Sequence, residues 1–191
     1  MLISIVVLSY NRPQQIERIL KNLVGIKIID INLIIKDDLS PKTNEIRELV
    51  NRYRESLAID VVYYCNADNL GYDRNLLDAF NITDSEYVFL LSDDDYISGD
   101  RLEQLVSVVQ KRRQKLYFTP YTDHAINMVN RSFDGLFDVE VKLSDYSKII
   151  YNSILFSGLV FHRETVLELN LDLDFLSNCI YTQVYLAGCI I

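Results

Sequence analysis

Three consecutive aspartates, Asp93, Asp94 and Asp95, follow the apolar run Tyr87-Val88-Phe89-Leu90-Leu91-Ser92. Carboxylates packed this closely repel one another and raise one another's pKa unless a cation or a set of donors neutralises them, so the bare cluster costs stability. A divalent cation relieves that cost. Oxygen-only ligands suit Mg2+ or Mn2+ rather than zinc, and ions of this type are held by one or two carboxylates while phosphates of a ligand complete the shell. The triplet therefore points to a phosphate-bearing ligand. The alternative is a solvated turn after a strand, because aspartate favours turns and helix starts.

Three other polar stretches stand in the same relation to apolar runs: Ser9-Tyr10-Asn11-Arg12-Pro13, Lys36-Asp37-Asp38-Leu39-Ser40, and the segment from Asn66 through Asn69, Gly71 and Arg74 to Asn75. The apolar runs, at residues 2–8, 31–35, 59–64 and 87–91, are continuous and rich in Ile, Val, Leu and aromatics. Such runs suit strands buried on both faces of a parallel sheet. Between them the apolar positions Ile16, Ile19, Leu20 and Leu23, then Ile46, Leu49, Val50 and Tyr53, and after the aspartates Leu102, Leu105, Val106 and Val109, follow the spacing of one helix face. Pro13 suits a first helical turn and Pro41 precedes the second helix; a shorter helix is expected around residues 74–80. Strand and helix thus alternate, which implies an α/β fold, Rossmann-like, with right-handed crossovers and helices on both faces of a mostly parallel sheet. In such sheets ligands bind outside the carboxyl ends of the strands, and all four polar stretches lie there.

Beyond residues 116–119, a further expected strand, the pattern loosens. Residues 123–145 mix polar and aromatic positions, a helical stretch is expected near 144–154, and residues 155–161 look strand-like. We read residues 1–115 as the ligand-binding α/β half and 116–191 as the half of the same domain that selects a second substrate. The apolar end at residues 185–191 has the look of a cut through a longer protein.

Composition sets limits. With 191 residues, 49% of them hydrophobic, the chain can bury a sizeable core. A net charge of −8 argues against a nucleic-acid partner. The densest basic stretch, Lys111-Arg112-Arg113 with Lys115, reads as a helix C-terminus; contact with anionic lipid is the alternative. Cys65, Cys179 and Cys189 have neither disulfide nor zinc spacing and are expected to be buried thiols in a reducing compartment, so a cytoplasmic location is expected, at most at the inner face of a membrane. The first apolar run is too short to span a bilayer and has no basic region before it.

The order Ser-Tyr-Asn-Arg, Asp-Asp-x-Ser, Asn-x-Gly-x-x-Arg-Asn and Asp-Asp-Asp resembles the family 2 glycosyltransferases of the GT-A fold, over residues 2 to about 105. The resemblance implies an enzyme that binds a nucleoside diphosphate sugar, a UDP-sugar foremost, with Mn2+ or Mg2+ at the so-called DXD motif. It would pass the sugar to a glycan or lipid-linked acceptor hydroxyl, with inversion, in the assembly of bacterial surface polysaccharide. Carried over, Ser9, Tyr10, Asn11, Arg12, Asp37, Asn69, Gly71, Arg74, Asp93 and Asp94 bind the nucleotide sugar. Among them Tyr10 and Asp37 contact the base, Arg74 the nucleotide or diphosphate side and Asp93 the ribose or sugar, while Asp94 or Asp95 holds the metal. From the residues themselves, Tyr10 can stack or fill a core, Asp37 can accept from a base edge or cap a helix near Pro41, Arg74 can bind diphosphate or stay a surface cation, and Gly71 can simply supply a positive φ.

The chain departs from the family pattern in two places. Ser92 stands where the family often has Asp, which leaves the register of the acidic motif open. The Glu-Asp pair expected to serve as base is missing from the region 178–183; Asp172 and Asp174 are the nearby candidates, though the alternation Leu171-Asp172-Leu173-Asp174-Phe175 also fits a half-exposed strand or turn. His124 and His162 could assist the leaving group or pair locally. A non-catalytic nucleotide-sugar-binding or scaffold domain is the competing reading. A dinucleotide oxidoreductase is disfavoured, because the first strand leads into Ser-Tyr-Asn-Arg-Pro and not into a glycine-rich loop.

Overall fold

The computed structural model describes residues 1–123, 128–130, 146–177 and 179–190; His124 and most of the irregular stretch after it lie outside the described residues. The first half alternates as expected: β1 (Ile3–Ser9), α1 (Pro13–Leu23), β2 (Ile31–Asp37), α2 (Thr43–Arg54), β3 (Asp60–Cys65), α3 (Gly71–Asp78), β4 (Tyr87–Ser92) and α4 (Gly99–Arg112). There follow β5 (Leu116–Phe118), β6 (Tyr121–Asp123), β7 (Met128–Asn130), α5 (Tyr146–Ser153), β8 (Leu159–His162), α6 (Arg163–Leu167), α7 (Leu173–Leu176) and α8 (Thr182–Ile190).

Six strands form one sheet in the order β3-β2-β1-β4-β8-β5, and β6 and β7 pair as a separate ribbon. Strands β1 to β4 are parallel; β8 runs antiparallel to both of its neighbours. Alternate residues of the strands feed two cores. Ile3, Ile5, Val7, Leu33, Ile35, Phe89 and Leu91 meet α1, α2 and α4 on one face. Val6, Leu8, Ile34, Val88 and Leu90 meet α3, α5, α6 and α8 on the other. The sheet is therefore covered on both faces, which is why β1 and β2 are buried along their whole length. The third strand departs from that expectation: β3 is the sheet edge and alternates between buried and exposed positions, with Val61 and Tyr63 on the core face and Asp60, Val62 and Tyr64 on the exposed one.

Local chemistry accounts for the helix boundaries. Pro13 opens α1 at N1, where its missing N–H costs nothing. Ser98 caps α4 by accepting from the Arg101 amide at 3.3 Å, and Arg113 ends it in the left-handed conformation, with Lys111 and Arg112 in the last turn. The basic cluster is thus a helix C-terminus. Burial of Leu102, Leu105, Val106 and Val109 holds α4 to the sheet, each contributing about 1.5–3 kcal/mol.

Three expectations need correction. The run 155–161 is strand only from Leu159, since Gly158, at φ 84°, turns the chain just before it. The alternation around Asp172 and Asp174 is not strand but the single helical turn of α7: Asp172 accepts from the amides of Asp174 and Phe175 at 3.1 and 3.0 Å and so satisfies two helix-start donors. The three thiols are not buried; Cys65 and Cys179 are half-buried and Cys189 is exposed, and all are free. No helix among the described residues is long and apolar enough to cross a membrane.

Candidate active site

The pairings of the four parallel strands set their carboxyl ends in a row. Ser9 is level with Asp37, Asp37 with Cys65, and Leu8 with Ser92. The four polar stretches therefore share one edge of the sheet, and hydrogen bonds join them. The Asp38 amide donates to the Ser9 carbonyl at 3.0 Å and the Asn66 amide to the Asp37 carbonyl at 2.9 Å. Asn11, in the left-handed region at φ 58° that Asn tolerates, donates its amide to Ser40 Oγ at 2.6 Å, and Ser40 Oγ in turn donates to Asp37.

Asp37 is fully buried and points toward α2. It is not the N-cap of that helix, a position held by Lys42; its Oδ1 accepts from the Ser40 amide at 3.1 Å and from Ser40 Oγ, and its Oδ2 accepts from Thr43 Oγ1 and Tyr63 OH, each at 2.6 Å. Burial and the neighbouring Asp37 carboxylate push the Tyr63 hydroxyl well above the ordinary tyrosine value, so it stays a donor. A nucleotide base at Asp37 has to share a carboxylate already held by four protein donors. Tyr10, by contrast, is half exposed and is not a core aromatic.

The neighbouring Asp38 points toward α3. Its Oδ1 accepts from Asn66 Nδ2 at 2.6 Å and from the Leu70 amide at 2.7 Å; its Oδ2 accepts from the Gly71 amide at 2.9 Å. Asn66 also donates to Asn75 Oδ1 at 2.9 Å and accepts from Lys36 Nζ at 2.6 Å. Lys36 is completely buried, paired with Asp78 at 2.9 Å and set over the Tyr64 ring at 5.0 Å. Burial lowers its pKa, and Asp78 opposes that shift. This network was not assigned in the sequence; the available signal was a lysine embedded between Ile35 and Asp37 in an otherwise apolar strand, which has to find partners. Gly71 has φ 74°, and a Cβ there would meet nothing, so what the position requires is conformational. Asn69 is exposed beside it, and Arg74, also exposed, donates through Nε to Ser177 Oγ at 2.8 Å.

At the acidic triplet the three residues differ. Asp93 is buried, Asp94 exposed and Asp95 half-buried. The Asp95 amide closes a turn on the Ser92 carbonyl at 3.2 Å, the Ser92 hydroxyl donates to Asp94 Oδ1, and the Ser92 amide donates to Ser157 Oγ at 2.7 Å. Two guanidinium groups supply part of the neutralisation the triplet needs. Arg12 Nε stands 3.8 Å from Asp93 Oδ1, and Arg18, which no sequence motif marks, donates to the Asp94 main-chain carbonyl. Among the described residues no three His, Cys, Asp or Glu side chains gather as a cage for a cation. Asp94 and Asp95 fit the other mode of binding hard cations, in which one or two carboxylates share the ion with ligand phosphates.

Burial raises the pKa of Asp93, with the adjacent Asp94 in the same direction; the Ser9 hydroxyl, Arg12 and the Tyr10 amide oppose, although no hydrogen bond of regular geometry joins Ser9 Oγ to the carboxyl. A raised value means that the protonated acid favours the fold: the contribution is complete below the ordinary aspartate value near 4 and is lost as pH rises through the raised one. Asp93→Asn carries no charge at any pH. In urea melts it is expected to be more stable than the parent at pH 7, with the gap closing toward about pH 4. A parent as stable as the variant at pH 7 would show that Arg12 fully offsets burial.

The remaining candidates lie on the C-terminal helices. Asp172 is the cap of α7, and Asp174 stands exposed one turn before Ser177, the residue that meets Arg74. His162 caps α6, its Nδ1 accepting from the Thr165 amide at 3.4 Å, with its ring against Tyr87.

Residues 4–154 match the model of the family described as Glycosyl transferase family 2. The chain belongs to that family. An abequosyltransferase, RfbV, of Salmonella typhimurium is 30% identical to it over 104 residues, which are 53% of this chain and 31% of RfbV. The solved structure of S. aureus TarS 1-349 superposes over 100% of this chain and 55% of its own length, with a TM-score of 0.69 and 16% identity. The mannosyltransferase PcManGT from Pyrobaculum calidifontis, solved with GDP-Man and Mn2+, superposes over 88% of this chain and 46% of its own, with a TM-score of 0.60 and 15% identity. These likenesses establish a GT-A-type fold for this family 2 chain, which spans between a third and about half of the length of these proteins.

Proposed function

We propose that the chain takes a sugar from a nucleoside diphosphate sugar and passes it to a hydroxyl of a glycan or lipid-linked acceptor. The observation that carries this reading is the convergence of four family motifs on one sheet edge, stitched through Asn11, Ser40, Asp37, Arg12 and Asp93. In the proposal Tyr10 and Asp37 meet the base, while Ser9, Asn11, Arg12, Asn69, Gly71 and Arg74 line the nucleotide and diphosphate. Asp93 meets the ribose or sugar, and Asp94 and Asp95 would hold Mn2+ or Mg2+, which when bound adds positive charge beside the departing diphosphate. TarS has been solved with UDP-GlcNAc and PcManGT with GDP-Man, which supports a sugar nucleotide here without choosing between uridine and guanosine.

For the transfer itself, the acceptor oxygen bonds to the anomeric carbon as the bond from that carbon to the diphosphate breaks, with inversion. The acceptor proton goes to Asp174, the candidate carboxylate one turn before Ser177, the residue that Arg74 bonds. Residues 1–115 serve the donor and 116–191 the acceptor. Surface polysaccharide assembly at the cytoplasmic face of a bacterial membrane is the proposed setting; the bacterial abequosyltransferase RfbV supports sugar transfer itself. A second reading, sugar-nucleotide binding without turnover, is favoured by one observation: Asp172, the other candidate base, is committed as a helix cap.

The test is a screen of UDP-, GDP-, dTDP- and CMP-sugars, with Mn2+ or with EDTA, by thermal shift and by sugar release or transfer to a supplied acceptor. Metal-dependent stabilisation by one nucleotide class together with turnover is expected. Equal shifts in EDTA would remove the metal, and binding with no turnover would favour the second reading.

A further inference from the structure

Three consecutive residues in the first turn of α3 each reach the C-terminal helices. The Tyr72 hydroxyl donates to Gln183 Oε1 at 2.9 Å, and Gln183 Nε2 donates to the Ile154 carbonyl at 2.7 Å. Asp73, 6% exposed, accepts from the Ile180 amide at 3.1 Å through Oδ2 and from the Thr182 hydroxyl at 2.7 Å through Oδ1. Arg74 donates to Ser177. These bonds join positions more than a hundred residues apart in the chain, and Thr182 and Gln183 are themselves buried, so water does not compete for the central ones.

The backbone at the far end of this clamp is strained. Ile180 has φ 62°, a left-handed conformation that a β-branched side chain adopts only where its surroundings over-determine it. The bond from its amide to Asp73 is one such determinant, and it sits immediately before α8. Both carboxylate oxygens of Asp73 are thus spent on the turn that starts this helix, while the next residue in α3 is Arg74.

We infer that Asp73 is a positioning residue for sugar transfer: it fixes the first turn of α8 to the turn of α3 that carries Arg74, so that the donor and acceptor halves of the site hold one geometry. The inference rests on the proposed function, which sets the donor's diphosphate at Arg74 and the acceptor against residues 116–191. Neither Asp73 nor Thr182 touches substrate in this account. Their effect comes through alignment, and misalignment by a fraction of a helical turn's width is enough to slow a reaction without weakening the binding of the donor.

The test uses the full chain and two substitutions of nearly unchanged shape. Asp73→Asn keeps one acceptor oxygen and loses the other; Thr182→Val keeps Asp73 bonded to Ile180 and removes only the hydroxyl. Both variants are expected to bind UDP with Mn2+ as the parent does, by titration, while kcat falls by up to about 10²-fold and the acceptor KM rises. Thr182→Val added to Asp73→Asn is expected to cost less than the sum of the two single effects, since both substitutions remove the same Asp73–Thr182 bond. Should Asp73→Asn fail to fold, judged by its thermal transition, Thr182→Val carries the same test alone. A parent that transfers sugar while both variants match its kcat and acceptor KM overturns the inference and leaves the proposed function standing, as does full additivity of the pair. A parent that neither binds nucleotide nor transfers sugar overturns the proposed function and the inference with it.

Discussion

Asparagine at Asp94 and Asp95 is expected to abolish the metal-dependent part of nucleotide binding while leaving the fold intact. The substitutions keep shape and remove the charge a hard cation needs, and they relieve repulsion within the triplet. A nucleotide at a hundredfold excess over its Kd stabilises the native chain by about 2.7 kcal/mol, or about 5–11 °C in Tm for a domain of this size. The double variant should show, with Mn2+ present, only the shift the parent shows in EDTA. Asparagine at Asp174 is expected to do the reverse, sparing the thermal shift and slowing transfer by about 10²–10⁴-fold. Asp172→Asn is the control: asparagine caps a helix start about as well as aspartate, so little should change. A full Mn2+-dependent shift in the triplet variant would place the cation elsewhere, and normal transfer by Asp174→Asn would remove it as the base.

Alanine at Lys36 is expected to be the most damaging single substitution for stability. It strands Asp78 and Asn66, which Lys36 bonds at 2.9 and 2.6 Å, and empties a fully buried volume. Breaking a buried ion pair from one side costs about 3–5 kcal/mol; Asp78 keeps 30% of its side chain exposed, so the lower end, about 3 kcal/mol and about 6–12 °C in Tm, is the expectation. Lys36→Met combined with Asp78→Leu should recover part of that loss, because an apolar pair needs no compensation while Asn66 Oδ1 still lacks its donor. Urea melts of the three chains decide it. A loss below about 1 kcal/mol for Lys36→Ala would mean that water reaches the pair and that it is a surface interaction in effect.

The elements of the first half were legible because their signals are local. Ile16, Ile19, Leu20 and Leu23 can serve only one helix face, and continuous runs such as residues 2–8 suit only a strand covered twice. What escaped depends on contacts distant in sequence. That β3 lies at the edge follows from strand order, which its own residues do not record. Arg18 lies on a helix with no motif around it and matters only because α1 passes the acidic turn. Asp37 was legible as a polar residue at a strand end, yet its four donors come from Ser40, Thr43 and Tyr63, of which the last lies on another strand. Around Asp172 strand and turn could not be told apart, because two carboxylates alternating with apolar residues give the same pattern in a strand as in a capped single turn.

Asp37 and Asp38 are neighbours in the chain but serve opposite layers of the molecule, the first bonded to the start of α2 and the second to the start of α3. The doublet is a fork with one prong through each side of the sheet. Inserting or deleting a single residue ahead of it would exchange the prongs, since a shift of one position turns every strand side chain to the other face. Its length is therefore not adjustable. Variation at this edge has to change residue types in the loops that follow, at a strand end whose phase both helix layers depend on.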